Sequence, residues 1–184
     1  MSGRASAGER AMEARLRAAV RDVVDYPKPG ILFKDITPLL ASAELYRAAC
    51  EALAAPYRES GVTHVVSIES RGFLLGGPVA ISLGTGLVPI RKQGKLPHQT
   101  SREEYALEYG TDVLEIHTDA LTSSCRVLII DDVLATGGTA CAAVRLAEGL
   151  GATIAGHAFL LELGFLGGRA RLDPHRVESV IAYA

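Results

Sequence analysis

Short apolar runs alternate with stretches of helical periodicity along most of this chain. The apolar runs, which are rich in aliphatic and β-branched residues and predict strands, are residues 62–68, 87–90, 127–130, 152–163 and 177–183. The stretches between them with helical spacing are residues 42–60, 73–83 and 140–150. This alternation predicts an α/β fold, an open, mainly parallel twisted sheet flanked by helices and joined by right-handed crossovers.

The segments outside this alternation are less regular. Residues 9–24 carry apolar side chains near helical spacing and predict one helix, which a Pro-Lys-Pro-Gly breaker ends. Residues 31–40 form an apolar stretch crossed by one charged pair. Residues 96–107 are polar and turn-rich, which favours a long mobile loop, whereas residues 111–117 alternate as a half-exposed strand.

Composition limits the class of protein. The chain has 184 residues, 48% of them hydrophobic, with a formal net charge of −2. We therefore expect one domain over residues 9–184 after a disordered segment 1–8, with neither nucleic acid nor membrane as a partner. The three cysteines, Cys50, Cys125 and Cys141, lack metal-binding spacing, and no secretory signal pattern is visible, so we expect free thiols and a cytoplasmic protein.

The stretch over residues 127–140 is the most informative part of the chain. A run typical of a strand buried on both faces leads into Asp131 and Asp132, and then into a loop that contains Gly137 and Gly138 before the next helix. A glycine-rich turn at a helix start offers unpaired backbone N–H groups and the positive end of the helix dipole. The loop therefore predicts a phosphate-binding site.

Two adjacent acids beside such a loop point to the rest of the ligand. Carboxylates repel a phosphate but accept hydrogen bonds from sugar hydroxyls, so Asp131 and Asp132 favour a ribose 5-phosphate group. The alternative is a buried strand and an acidic turn with no ligand, but a Gly-Gly pair costs chain entropy without adding packing. The stretch has neither the Gly-Lys-Ser/Thr of a Walker loop nor a Gly-x-Gly-x-x-Gly pattern.

Two further polar segments follow predicted strands. Residues 69–72, Glu-Ser-Arg-Gly, come directly after one strand and precede a helix, so this loop can face the phosphate loop across a shared ligand. The turn over residues 91–95 contains Arg91, Lys92 and Lys95. These cations form either a solvated basic patch or counter-charges for a second phosphate group.

Residues 127–140 resemble the phosphoribosyl diphosphate (PRPP) signature of the type I phosphoribosyltransferases. From Tyr26 onward the chain is similar to the members of that family that act on adenine, through four further blocks: residues 29–36, 69–73, 91–97 and 105–110. The resemblance implies the type I phosphoribosyltransferase fold, with a small N-terminal base-binding hood over roughly residues 9–40 and a mobile lid over roughly residues 96–112. It implies an enzyme of purine salvage that converts adenine and PRPP to AMP and diphosphate with Mg²⁺ as cofactor, and a homodimer.

The resemblance also assigns roles by position. Ribose and 5′-phosphate binding fall to Asp131, Asp132, Ala135, Thr136, Gly137, Gly138 and Thr139. Diphosphate binding falls to Glu69, Ser70, Arg71, Gly72, Arg91, Lys92 and Lys95, with the cations acting in part from a neighbouring subunit. Adenine binding falls to Leu32, Phe33, Lys34 and Arg71, and handling of the purine proton falls to Glu108. The resemblance further implies a non-proline cis peptide between Glu69 and Ser70, and no direct protein ligand to Mg²⁺, which PRPP would mainly hold.

Two other functions compete with this one. A related transferase could act on xanthine, hypoxanthine or another base, but the block around Phe33 argues against it because such enzymes often contact the base nearer the C-terminus. A PRPP-sensing regulator would keep the phosphate loop without catalysis. The presence of Arg91, Lys92, Lys95 and Glu108 favours the enzyme.

Overall fold

The computed structural model describes residues 7–106 and 111–184, and its contacts divide the chain into two compact units, Met1–Glu51 and Ala52–Ala184. The sequence predicted a single domain over residues 9–184. It also predicted disorder over residues 1–8, but a helix already begins at Ala7, and residues 1–6 lie outside the described chain.

The first unit contains a two-stranded hairpin between helices. Its elements are α1 (Ala7–Ala18), β1 (Arg21–Val24), β2 (Leu32–Asp35), α2 (Thr37–Ala41) and most of α3 (Ala43–Ala54). The single helix predicted over residues 9–24 is therefore wrong in its last turn, where β1 pairs antiparallel with β2. Two ion pairs across the hairpin, Arg21–Asp35 and Lys34–Asp22, both at 2.6 Å, explain why a charged segment adopts this structure.

The second unit is a layered α/β structure. Its strands are β3 (His64–Ile68), β4 (Gly86–Lys92), β5 (Thr100–Ala106), β6 (Thr111–His117), β7 (Arg126–Leu134), β8 (Thr153–Leu163) and β9 (Val177–Tyr183). Its remaining helices are α4 (Arg71–Leu83) and α5 (Gly138–Gly149), with 3-10 turns at Ala55–Tyr57, Gly164–Leu166 and Gly168–Leu172. Among the described residues these strands form one seven-stranded sheet in the order β5-β6-β4-β3-β7-β8-β9. Neighbouring strands in the part of the sheet ordered β4-β3-β7-β8-β9 are parallel, whereas β6 pairs antiparallel with both β4 and β5. The predicted open, mainly parallel sheet is therefore confirmed.

The order of the strands locates a crevice. From β3 the chain passes through α4 to β4 on one side, whereas β7, on the other side of β3, leads through α5 to β8. Right-handed crossovers in opposite directions place α4 and α5 on opposite faces of the sheet. The topological switch point therefore lies between β3 and β7, and ligands of open α/β sheets bind at the carboxyl ends of such a strand pair.

The central strand β7 is the core of this unit. Val127, Leu128, Ile129 and Ile130 are all fully buried, as the continuous apolar run predicted. Burying each such side chain stabilises the fold by about 1.5–3 kcal/mol. The strand continues beyond the predicted residue 130 to Leu134, so that its last residues project the polar groups described below.

The segment predicted as a long loop over residues 96–107 is mostly strand, and that prediction is wrong. Residues Thr100–Ala106 pair with β6 in a continuous antiparallel register from Thr100↔His117 to Ala106↔Thr111. This is a strand at the edge of the sheet, where charged residues are common because one side faces solvent. Residues 107–110, which follow β5 in the sequence, lie outside the described chain. No helix in the described part of the chain is long and apolar enough to cross a bilayer.

Candidate active site

A cleft of about 380 Å³ opens at the switch point. It combines the ends of β3 and β7 with the segments that follow them. Its lining residues are Glu69, Ser70, Arg71, Lys92, Tyr105, Asp131, Asp132, Val133, Leu134, Ala135, Thr136, Gly137, Gly138, Thr139, Ala140 and Phe159.

One wall of the cleft is the predicted phosphate loop, residues 135–139. Gly137 adopts a φ of +81° and caps α5, whose first residue is Gly138. The first backbone N–H groups of a helix have no partner within it, and together with the helix dipole they attract an anion. The loop thus places several donors and the hydroxyl-bearing side chains of Thr136 and Thr139 around the cleft.

The two aspartates lie beside this loop, near the end of β7. Asp132 is only 5% exposed, and its backbone N–H donates to Asp131 Oδ1 at 2.9 Å. Burial raises the pKa of Asp131 well above its ordinary value, and the neighbouring charge of Asp132 raises it further, whereas Arg71 opposes the change. A pair of crowded carboxylates is well suited to accept hydrogen bonds from vicinal hydroxyls, which would relieve their mutual repulsion.

The opposite wall is the loop after β3. The peptide bond between Glu69 and Ser70 is cis, as predicted, and α4 begins immediately afterwards at Arg71. A Cβ atom on Gly72 would lie 3.0 Å from Asp131 Oδ1 and 3.1 Å from the Ile130 carbonyl oxygen. Glycine at this position therefore lets the first turn of α4 approach the end of β7.

The basic turn after β4 is held by carboxylates. The Arg91 guanidinium donates to both oxygens of Glu69 at 3.2 and 3.3 Å, and the Lys92 backbone N–H donates to Glu69 at 2.9 Å. Although burial opposes it, these bonds lower the pKa of Glu69. On the other side of the turn the Gly94 N–H donates to Glu115 Oε2 at 2.9 Å. The turn is thus fixed at both ends.

A second network joins the β5–β6 hairpin to the cleft. The Lys92 ammonium lies 3.1 Å from Asp112 Oδ2, and the Tyr105 hydroxyl donates to the same oxygen at 3.4 Å. The bond to Asp112 raises the pKa of Lys92, so the ammonium stays charged. Tyr105 also hydrogen-bonds the side chain of Thr139 in the phosphate loop.

Most residues predicted for ribose, 5′-phosphate and diphosphate binding line this cleft. Gly72, Arg91 and Lys95 are not among the lining residues; Gly72 packs against Asp131, and Arg91 bonds Glu69 and the Lys95 carbonyl oxygen. The residues predicted for adenine lie on β2 in the first unit, where Phe33 forms an edge-to-face contact with Tyr26 at 5.1 Å. Glu108 lies outside the described residues.

Five lining residues received no role from the sequence: Tyr105, Val133, Leu134, Ala140 and Phe159. Tyr105 opens one of the motif blocks, and this position was a signal that could have identified it. Phe159 could not have been found, because a phenylalanine in a buried strand looks the same whether or not a ligand lies above it.

Comparisons with known proteins agree with this geometry. Residues 40–179 match the family model described as the phosphoribosyl transferase domain. Over 159 residues, which cover 86% of this chain and 89% of the relative, the sequence is 58% identical to adenine phosphoribosyltransferase of Streptomyces clavuligerus. The chain belongs to the adenine phosphoribosyltransferase family.

Solved structures of this family have the same fold. The crystal structure of adenine phosphoribosyltransferase from Rhodothermus marinus has a TM-score of 0.90 and 53% identity, covering 95% of this chain and 99% of that one. The Saccharomyces cerevisiae enzyme, complexed with D-2,5-dideoxy-2,5-imino-altritol 1,6-bisphosphate and adenine, has a TM-score of 0.88 and 37% identity, covering 93% and 99%. The similarity thus extends over nearly the whole chain and includes a ligand-bound relative.

Proposed function

We propose that this protein transfers the 5-phosphoribosyl group of PRPP to adenine, giving AMP and diphosphate, in purine salvage. The observation that carries the proposal is the pairing of Asp131 and Asp132 with the phosphate loop at the switch point, opposite the loop that begins at Glu69. The names of the relatives, and the complex of one of them with a bisphosphate and adenine, support this choice of substrates.

The sugar phosphate occupies the wall formed by β7 and α5. Backbone N–H groups of residues 135–139 and the hydroxyls of Thr136 and Thr139 bind the 5′-phosphate, and Asp131 and Asp132 accept hydrogen bonds from the ribose hydroxyls. Holding the ribose at both ends fixes C1 in the orientation that an in-line displacement requires.

The diphosphate lies against the other wall. Ser70 and Arg71, at the start of α4, together with Lys92 offer donors and positive charge to the departing group. Arg91 and Lys95 were assigned the same role. Arg91 forms an ion pair with Glu69 within the chain, so a contact of Arg91 with diphosphate requires a neighbouring subunit or a rearrangement of the turn.

Adenine binding rests on the hood. Phe33 stacks on the purine, and backbone groups of Leu32 and Lys34 read its edge. Arg71 is the fourth residue assigned to the base. Glu108, from the lid, handles the proton of the purine nitrogen as that nitrogen bonds to C1, which passes through an oxocarbenium-like state. The segment predicted as a lid, roughly residues 96–112, is mostly strand where it is described, and its closure over the cleft would exclude water that otherwise hydrolyses PRPP.

Magnesium fits this site as a substrate-bound ion. Within residues 7–106 and 111–184 no three His, Cys, Asp or Glu side chains cluster as a metal site, whereas the carboxylates of Asp131 and Asp132 lie where the sugar would. Mg²⁺ commonly takes substrate phosphate oxygens, waters and one or two carboxylates. When bound, it neutralises charge on the diphosphate.

We further propose a homodimer in the cytoplasm. Leu74, Ile81 and Leu87 on α4 and β4 are large apolar side chains that are exposed, and such side chains support an interface between subunits when they form one patch. The three free thiols support a reducing compartment. Sedimentation of the parent and of Ile81→Glu tests the dimer. We expect dissociation in the variant, and a monomeric parent would contradict the proposal.

A spectrophotometric assay with PRPP, Mg²⁺ and each purine in turn tests the function. We expect turnover with adenine and little with hypoxanthine or guanine. Preference for another base would overturn the choice of substrate, and binding of AMP outside the cleft in a soaked crystal would overturn the site.

A further inference from the structure

The segment behind the phosphate loop has no role in the chemistry above. The 3-10 turn Gly168–Leu172 lies between β8 and β9, and none of its residues lines the cleft. Leu172 is nearly fully buried, in one cluster with Leu134 and Ala140, which flank the loop in sequence. The turn is therefore packed firmly against the structure that carries the loop.

Two contacts join this turn to a single peptide unit of the loop. The Arg171 Nη1 atom donates to the Thr136 carbonyl oxygen at 3.0 Å. A Cβ atom placed on Gly168 would lie 2.9 Å from the Gly137 nitrogen and 3.0 Å from the Thr136 carbonyl carbon. The same atom would also collide with the Ala135 carbonyl oxygen, so the two backbones pack against each other with no room for a side chain.

The geometry of the peptide bond gives these contacts a consequence. In a trans peptide the carbonyl oxygen and the N–H group of the next residue point in opposite directions within one plane. Arg171 binds the Thr136 oxygen, so it also fixes the direction of the Gly137 N–H, which belongs to the same plane. Gly168 supports that plane from behind.

We propose that Arg171, supported by Gly168, is a positioning residue for 5′-phosphate binding: it orients the Thr136–Gly137 peptide so that its N–H group faces the phosphate. This deepens the proposed function, because it concerns the same site. Arg171 makes no contact with substrate in this proposal and acts only through the loop.

The chain offers a matched control. Arg176 is also an exposed arginine, and its Nη1 atom donates to the Pro56 carbonyl oxygen, likewise at 3.0 Å, but that carbonyl lies outside the phosphate loop. Replacing either arginine by methionine removes one hydrogen bond to a backbone carbonyl and keeps most of the aliphatic stem. Arg176→Met also removes the ion pair with Glu178 and the contact with the Tyr57 ring, so this control loses further contacts, none of them to the phosphate loop.

The experiment is calorimetric titration of the full chain with ribose 5-phosphate. A misoriented donor to a charged group typically weakens binding about tenfold or more, so we expect that loss in Arg171→Met. We expect near-parent affinity in Arg176→Met and substantial recovery in Arg171→Lys, whose ammonium can still donate to Thr136. In steady-state assays the KM for PRPP should rise in Arg171→Met while the KM for adenine stays unchanged.

Gly168→Ala tests the supporting contact. We expect weaker binding of ribose 5-phosphate, whereas Gly149→Ala, where a Cβ would meet nothing within 4 Å, should bind as the parent does. Parent affinity in Arg171→Met, or an equal loss in Arg176→Met, would overturn the inference. If the parent binds ribose 5-phosphate but transfers nothing to adenine, the proposed function fails while the titrations still decide the role of Arg171.

Discussion

Arg71 and Asp132 join the two walls of the cleft directly: the guanidinium Nε donates to the Asp132 Oδ2 atom at 2.5 Å. The carboxylate is nearly buried and the arginine is partly exposed. Asp132 thus has a charged donor within the chain, and under the proposed function ribose hydroxyls either share this carboxylate with Arg71 or displace it. Diphosphate would then be an alternative partner for Arg71, so we expect binding at the two ends of PRPP to be coupled through this pair.

The first prediction concerns both aspartates. Asp131→Asn combined with Asp132→Asn should abolish PRPP binding, because both charged acceptors for the ribose hydroxyls are lost. Titration calorimetry with PRPP and Mg²⁺ measures the effect, and Asp119→Asn, at an exposed turn, is the control. Retained affinity in the double variant would contradict the ribose site.

The second prediction separates function from stability at Asp131. Its pKa is raised in the folded chain, so retaining this carboxyl group costs stability at neutral pH, and the cost shrinks as the pH falls from the raised pKa towards the ordinary one. Asp131→Asn should therefore raise the melting temperature at pH 7 while weakening PRPP binding. The amide oxygen can still accept from the Asp132 N–H.

The difference in melting temperature between Asp131→Asn and the parent should narrow as the pH is lowered. Thermal denaturation over a pH series measures it. A melting temperature at pH 7 that falls on substitution would show that the ionised carboxylate stabilises the fold, contrary to this account.

The third prediction concerns the clamp on the basic turn. The pKa of Glu69 is lowered in the folded chain, so its charge stabilises the fold above the unfolded pKa, and this stabilisation is lost as the pH falls through the folded pKa. Glu69→Gln should lower the free energy of unfolding at pH 7 by about 1–2 kcal/mol. Below the folded pKa the variant and the parent should converge.

Urea denaturation at several pH values tests this prediction. Glu59→Gln, at an exposed position away from the turn, serves as the control and should change little. A loss of stability that does not depend on pH would mean that the Glu69 charge is unimportant and that only its shape matters.

The fourth prediction concerns the proposed proton-handling residue. Glu108→Leu should lower kcat by about 100-fold or more, as expected when a general acid or base is removed. The Kd for PRPP should change little. Glu104→Leu, at an exposed position on β5, is the control of the same residue type and should retain most activity. Equal losses in turnover and PRPP affinity would argue against the role.

The sequence predicted the centre of the molecule better than its edges. Val127 to Ile130 are buried on both faces, so their apolar run has no competing explanation, and the loop after it follows from glycine and helix-start chemistry. The β5 strand was missed because its inward positions include Ser101 and Glu103 rather than aliphatic residues. Hydrophobic periodicity cannot detect a strand whose inward-facing positions are polar.

The contacts between distant segments were also beyond the sequence. The sequence identified Arg91 and Lys92 as cations. It did not predict that Arg91 would pair with Glu69 and Lys92 with Asp112. No local pattern connects the turn over residues 168–172 with Thr136, because that contact exists only after β8 and β9 join the sheet. Pairings across dozens of residues depend on topology, which no local pattern records.

The two walls of the cleft come from chain segments 61 residues apart, which meet only when β3 and β7 lie side by side. A nucleotide that contacts both walls therefore acts as a removable cross-link, and the denatured chain offers it nothing comparable. Ligand at a hundred times its Kd adds about 2.7 kcal/mol to the free energy of unfolding. Under the proposed function we therefore expect the supply of substrate in the cell to affect how long the protein survives as well as how fast it catalyses the reaction.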